Sequence, residues 1–189
     1  MTHAAAMLRV VVLLLLLVIS PGVALAQACP PVVVDQDRKA DLMAQLRMAP
    51  DEMTARAIND QLWEIWAAAP TPHAQDLLDE GLQRRSTFDL DAAMIAFEAL
   101  IVECPGYAEG YNQRAFIFFI RQDYGPALVD LEKALDLVPD HIGALSGRAL
   151  TLMGLGRNDE AQQVLRDALA LNPWLPERRF LVEPDGDDI

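Results

Sequence analysis

Pro105, Pro139 and Pro173 recur at an interval of 34 residues. Proline has no amide hydrogen to donate and stops a helix where it stands. It also biases the residue before it away from the helical region. A helix breaker at a constant interval therefore marks one structural unit used several times. A period of this size belongs to stacked repeats rather than to a single globular core.

The residues between the prolines keep the same register across Ala74–Gly106, Ala108–Pro139 and Ile142–Pro173. Large residues share the fourth position (Leu77, Tyr111, Leu145), the eleventh (Arg84, Phe118, Leu152, the first an exception) and the twenty-fourth (Phe97, Leu131, Leu165). Recurrence at this spacing buries one face of each of two helices per unit. Small residues hold the eighth position (Gly81, Ala115, Ala149) and the twentieth (Ala93, Ala127, Ala161), where two helices can approach closely. Gln122 to Tyr124, and Gly156 with Asn158, supply the turn between helices. The pattern predicts eight main helices and nearly no strand.

This arrangement resembles the tetratricopeptide repeat family over roughly residues 74–173. The likeness is strongest in the second and third units. In the first, Glu80 and Arg84 stand where the family usually has apolar residues. The resemblance implies an all-α, right-handed α-solenoid of helix-turn-helix repeats: three full repeats over 74–173, preceded by a degenerate one over 38–73. It implies a functional concave face made by the first helix of each repeat. That face would carry Gln75, Leu78 and Leu82, then Asn112, Phe116, Phe119 and Ile120 beside Glu109, then Ser146, Leu150 and Met153. Some members grip a peptide's terminal carboxylate with lysines and an asparagine on this face. Here those positions hold Gln75, Leu78 and Leu82, then Glu109, Asn112 and Phe116, so that clamp is absent. What remains is apolar, either an interaction groove or a patch covered by one of the termini. Many members also pair an arginine at the seventh position with an aspartate on a second helix. Arg114 and Arg148 occupy that position, with Asp130 the candidate partner in a structural ion pair.

The N-terminus carries a different signal. An apolar run of ten, Val10 to Ile19, follows Arg9 and precedes Ser20-Pro21-Gly22 and the small-residue site Ala24-Leu25-Ala26. Charge, apolar stretch and cleavage site in this order predict a secretory signal peptide over 1–26. The run falls short of the about 20 residues a spanning helix needs, so no membrane insertion is expected after cleavage. Lipid anchoring at Cys29 is the alternative, but leucine is missing three residues before that cysteine. Export, most simply to a periplasm, places the chain where disulfides persist. Its two cysteines, Cys29 and Cys104, are the candidates for one, tying the lead-in over 27–37 to the first full repeat.

The net charge of −13 becomes −14 once Arg9 leaves with the signal segment. Such acidity repels nucleic-acid phosphates and anionic membrane surfaces. Downstream of the lead-in, Asp35–Arg47 reads as an amphipathic helix with Leu42, Met43 and Leu46 on one face. A longer helix follows from Asp51, its N-cap, to Ala68, with Trp63 and Trp66 as core residues. Residues 174–189 read as a cap (Trp174, Leu175, Phe180) and an acidic tail.

No chemistry-bearing constellation stands out. His73, in a linker, and His141, in a turn between repeats, read as solvent-facing, and no His or Cys pair has metal-ligand spacing. Gly154-Leu155-Gly156 is a turn, and Ser146 lacks a nucleophile elbow. The expectation is a non-catalytic exported scaffold, without cofactor or metal, that binds a protein or peptide through its concave face. Rival readings are a self-associating structural module and a carrier of an apolar small molecule. The sequence does not fix the partner or the oligomeric state.

Overall fold

The structure, a computed structural model, describes residues 29–182. The expected signal segment and the acidic tail beyond Val182 lie outside the described residues. Eight α-helices follow in order: α1 Gln36–Arg47, α2 Glu52–Trp66, α3 Pro72–Ser86, α4 Leu90–Glu103, α5 Ala108–Ile120, α6 Tyr124–Leu137, α7 Ile142–Gly154 and α8 Asn158–Leu171. A short 3₁₀ turn, Pro176–Phe180, comes last. The described residues contain no strand. Asp35, Asp51, Thr71 and Asp89 each cap a helix by accepting the backbone N–H three residues on, which satisfies a donor that has no partner within the helix.

The pairs α3–α4, α5–α6 and α7–α8 form three hairpins that stack through α4 on α5 and α6 on α7. This is an α-solenoid of helix-turn-helix repeats. Ala93, Ala115, Ala127, Ala149 and Ala161 are all buried at the crossings. At Gly81 any Cβ would run into the ring of Phe97, so only glycine lets α3 approach α4 this closely. The first repeat departs from the expected register. Leu78, expected on the concave face, is fully buried, whereas Leu77 is only half-buried and Arg84 is exposed.

The turn inside each hairpin has a positive φ at the same repeat position: 62° at Phe88, 63° at Gln122 and 73° at Gly156. Only the third repeat uses the residue that adopts this conformation without steric cost.

The N-terminal hairpin departs from the expected degenerate repeat. α1 and α2 pair with each other, but α1 also lies against α8, and no comparable packing joins the hairpin to α3. Leu42, Met43, Leu46, Ala55, Ile58 and Leu62 share one buried cluster with Ile142, Leu145, Leu165, Ala168 and Leu175. The hairpin thus folds back on the last repeat instead of forming a layer beneath the first. The last position of each 34-residue unit explains how. It holds Tyr107, His141 and Leu175, all buried. The Tyr107 hydroxyl donates to the Trp66 carbonyl at 2.9 Å, and the His141 ring stacks on Trp66 with centroids 4.5 Å apart. Leu175 lies near Ala55 at the other end of α2. α2 therefore runs along this row of inter-repeat residues and covers it. Burial pushes the Tyr107 hydroxyl pKa well above its usual range.

The lead-in follows the same edge and is fixed at its start by a disulfide between Cys29 and Cys104, with Cα atoms 5.0 Å apart. At the other end, Trp174 donates its indole N–H to the Ala49 carbonyl at 2.9 Å and Leu175 is buried. Phe180, expected in the same cap, stays exposed, with Arg179 over its ring.

Candidate functional site

Between α5 and α7 lies a groove of about 220 Å³. Asn112, Phe116 and Phe119 recur on α5 at intervals of four and three, so they share one face. On α7 Ser146 and Leu150, four apart, likewise share a face, Thr151 lies beside them, and Leu131 of α6 and Glu177 of the 3₁₀ turn close the sides. Gly143 and Gly147 leave gaps between those side chains in the α7 wall. Phe116 is 46% exposed, whereas Asn112 and Ser146 are 9% exposed and form the floor. The apolar patch is therefore open at Phe116, and the C-terminal turn supplies one wall without covering it. Ile120 and Met153, also expected here, are half-buried but do not line the groove. Met153 packs instead against the cluster that joins α1–α2 to α7–α8.

Two neighbours set the shape of the aromatic wall. Phe119 packs against Tyr124 at 5.6 Å between centroids. The Arg85 guanidinium sits 4.9 Å from the Phe116 ring centre, an attractive cation–π arrangement. Arg85 also donates to Gln113. Burial pulls its pKa down, and the nearby Glu109 carboxylate partly offsets that.

The groove floor rests on a buried polar network. Glu109, 1% exposed, accepts from Asn112 at 3.2 Å to each oxygen, from Gln113 and from His141 Nε2 at 2.8 Å. His141 Nδ1 accepts the backbone N–H of Ala144 at 3.2 Å and caps α7. With Nδ1 accepting, the ring proton sits on Nε2 and points at Glu109. His141 was expected to face solvent and is instead 1% exposed, because α2 covers the inter-repeat row and lays Trp66 on the ring. Glu109, expected on the concave face, turns inward for the same partners. His73 is exposed, 3.2 Å from Glu103. Sequence reasoning missed Glu109, Gln113 and His141 as a network. The available signal was the 34-residue register of Tyr107, His141 and Leu175.

The expected arginine pairing splits. Arg114 binds Asp130 with two hydrogen bonds of 2.7 Å, and that bond raises the Arg114 pKa. Arg148 does not reach Asp130. Among the described residues its nearest acid is Glu132 at 3.8 Å, and its Nε is buried without a partner. The reason is local: the third repeat has Val164 where the second has Asp130.

Two further groups bear on what the groove can hold. One carboxylate oxygen of Glu177 and the hydroxyl of Thr151 are both buried with no hydrogen-bond partner among the described residues, and both residues line the groove. Neither was anticipated from sequence.

The tetratricopeptide repeat profile matches residues 118–174. Over 149 residues the chain is 28% identical to a TPR repeat-containing protein of Rhizobium etli, covering 77% of this chain and 66% of that one. Over 123 residues it is 32% identical to tetratricopeptide repeat protein 36 of Xenopus tropicalis, covering 62% of this chain and 60% of that one. The chain thus spans about two thirds or less of the curated relatives it matches. Among solved structures, the TPR domain of Arabidopsis OM64 superposes with a TM-score of 0.55 at 21% identity, covering 57% of this chain and 89% of that one. The first TPR domain of Spaghetti (RPAP3), bound to the Hsp90 peptide SRMEEVD, gives 0.56 at 21% identity, covering 57% and 86%. With a 34-residue period, three stacked hairpins and these relatives, the chain is similar to tetratricopeptide repeat proteins, and over residues 118–174 it matches that family's profile.

Proposed function

We propose that this chain is an exported, non-catalytic scaffold that binds a peptide or protein segment in the groove between α5 and α7. The observation that carries the reading is Phe116, a large aromatic side chain held nearly half exposed at the mouth of a mostly apolar groove. Leaving such a group in water sacrifices burial that a partner would restore. Similar domains with bound peptides support the reading, among them that of RPAP3 with its Hsp90 peptide and a yeast Sti1 domain in complex with an Hsp70 peptide. Export is supported by the signal-like N-terminus and by the Cys29–Cys104 disulfide, a bond that persists in oxidising compartments.

The test is a peptide selected by display on the purified protein and then titrated into isotope-labelled protein. The reading expects NMR shifts concentrated at Asn112, Phe116, Phe119, Ser146 and Leu150. Selected peptides whose shifts map elsewhere, such as to the outer face of α6 around Val129, would contradict it. Fractionation of the native host with an antibody tests export, and recovery in the cytoplasm with residues 1–26 still attached would refute that part.

A further inference from the structure

We infer that the groove selects a basic side chain, arginine or lysine, next to an apolar residue on its peptide partner, with Glu177 as the counter-charge. This inference rests on the groove being the binding surface. Three observations carry it. First, the groove is apolar on most of its lining, which suits an aliphatic or aromatic neighbour. Second, one Glu177 carboxylate oxygen is buried with no donor, and the Thr151 hydroxyl on the facing helix is likewise unpaired. Buried polar groups in native proteins almost always find partners, and a buried polar atom without one is costly. A guanidinium or ammonium group offers several N–H donors and no acceptor. It could satisfy the carboxylate and the hydroxyl together while its aliphatic stem lies along Leu150 and Phe116.

Third, the other charged groups around the groove are already engaged. Arg85, on the side of the first repeat, is hydrogen-bonded to Gln113 and stacked over Phe116. The floor residue Asn112 donates to Glu109. Arg178, next in sequence to Glu177, reaches Glu52 at 3.2 Å and does not turn toward the groove. Glu177 is left as the groove-lining charge without a partner among the described residues. A carboxylate ligand would place two negative charges together in a chain whose formal charge is already −13. The pairing of a cation with Glu177 is therefore the complementary choice, and it specifies a partner class that the apolar lining alone would not.

The experiment is a positional-scanning library of hexapeptides with acetylated N-termini and amidated C-termini, measured by fluorescence anisotropy against the full purified protein. Blocked termini remove the peptide's own end charges. The expected result is one position with a preference for Arg or Lys over Gln on the order of tenfold, the scale of one charge-assisted hydrogen bond, and against Glu by more. Glu177→Gln should erase the Arg-over-Gln preference while the apolar positions keep theirs. Glu177 lies on a surface turn, so folding is checked by its circular dichroism spectrum, and Thr151→Val provides a second variant that should weaken the preference. Hexapeptides that bind with no basic preference, or a preference that survives Glu177→Gln, would overturn this inference and leave the groove reading standing. If no hexapeptide binds and the displayed peptides map elsewhere, both readings fall.

Discussion

Glu109→Gln is the substitution that most sharply tests the buried network. Glu109 is 1% exposed and its two oxygens accept from three side chains: Asn112, Gln113 and His141. An amide of the same shape keeps one oxygen, with two lone pairs, and turns the other into an NH₂ group. At least one of the three donors then faces another donor. An unsatisfied buried donor costs about 1–3 kcal/mol, and hydrogen bonds to a neutral acceptor lose roughly 1 kcal/mol relative to charged ones. The expected loss is about 2–4 kcal/mol, a large share of the 5–15 kcal/mol typical of a folded domain. Urea unfolding followed by circular dichroism and by tryptophan fluorescence measures it, with Trp66 reporting on its stacking with His141. A cycle with His141→Gln should show a coupling above about 0.5 kcal/mol, since the two side chains touch. A loss under 0.5 kcal/mol for Glu109→Gln, equal to that of the exposed Glu98→Gln, would refute the network as a structural support.

Phe88 sits at a φ of 62° and is 71% exposed. Phe88→Gly relieves a left-handed conformation that costs about 1–2 kcal/mol, against a glycine entropy cost of about 0.5–1 kcal/mol. Thermal melting should therefore show a modest stabilisation, and a lowered melting temperature would contradict this. Reducing the Cys29–Cys104 bond opens a loop of 75 residues, worth up to about 4 kcal/mol in the chain-entropy picture. The midpoint in urea should drop with reductant, and an unchanged midpoint would show that the lead-in is held by other contacts. Asp130→Asn replaces the charged acceptor of two Arg114 hydrogen bonds and should cost about 1–3 kcal/mol. Glu132→Gln, by contrast, weakens only a long 3.8 Å contact to Arg148 and should stay within about 0.5 kcal/mol of wild type in the same assay.

What could be read from sequence was what periodicity encodes. The 34-residue prolines and the small residues at Gly81, Ala93, Ala115 and Ala161 specify contacts between neighbouring helices. Such contacts are local, and the pattern on each helix states which face is buried. The resemblance, rather than the periodicity itself, named Asn112, Phe116, Phe119, Ser146 and Leu150 as concave-face residues, and these five line the groove. The pattern did not specify which surface the N-terminal hairpin would cover. Leu42, Leu46 and Leu62 read equally well as a layer beneath α3 or as a cover on α7 and α8, because an apolar stripe names no partner. Everything that depends on that choice was hidden with it. His141 looked like a turn residue until α2 was laid across it, and Glu109 looked like a groove residue until His141 turned toward it. Glu177 escaped notice because a single acid in a charged C-terminal segment has no pattern. Its meaning comes from the 3₁₀ turn that carries it to the groove.

The claim that the groove between α5 and α7 is the binding surface is tested most directly by Phe116→Ala. Isothermal titration with a display-selected peptide should show affinity at least tenfold weaker than wild type, as expected when a central aromatic anchor is removed. The melting temperature should stay close to wild type, because the side chain is nearly half exposed. Unchanged affinity, or a loss seen only together with unfolding, would contradict the account.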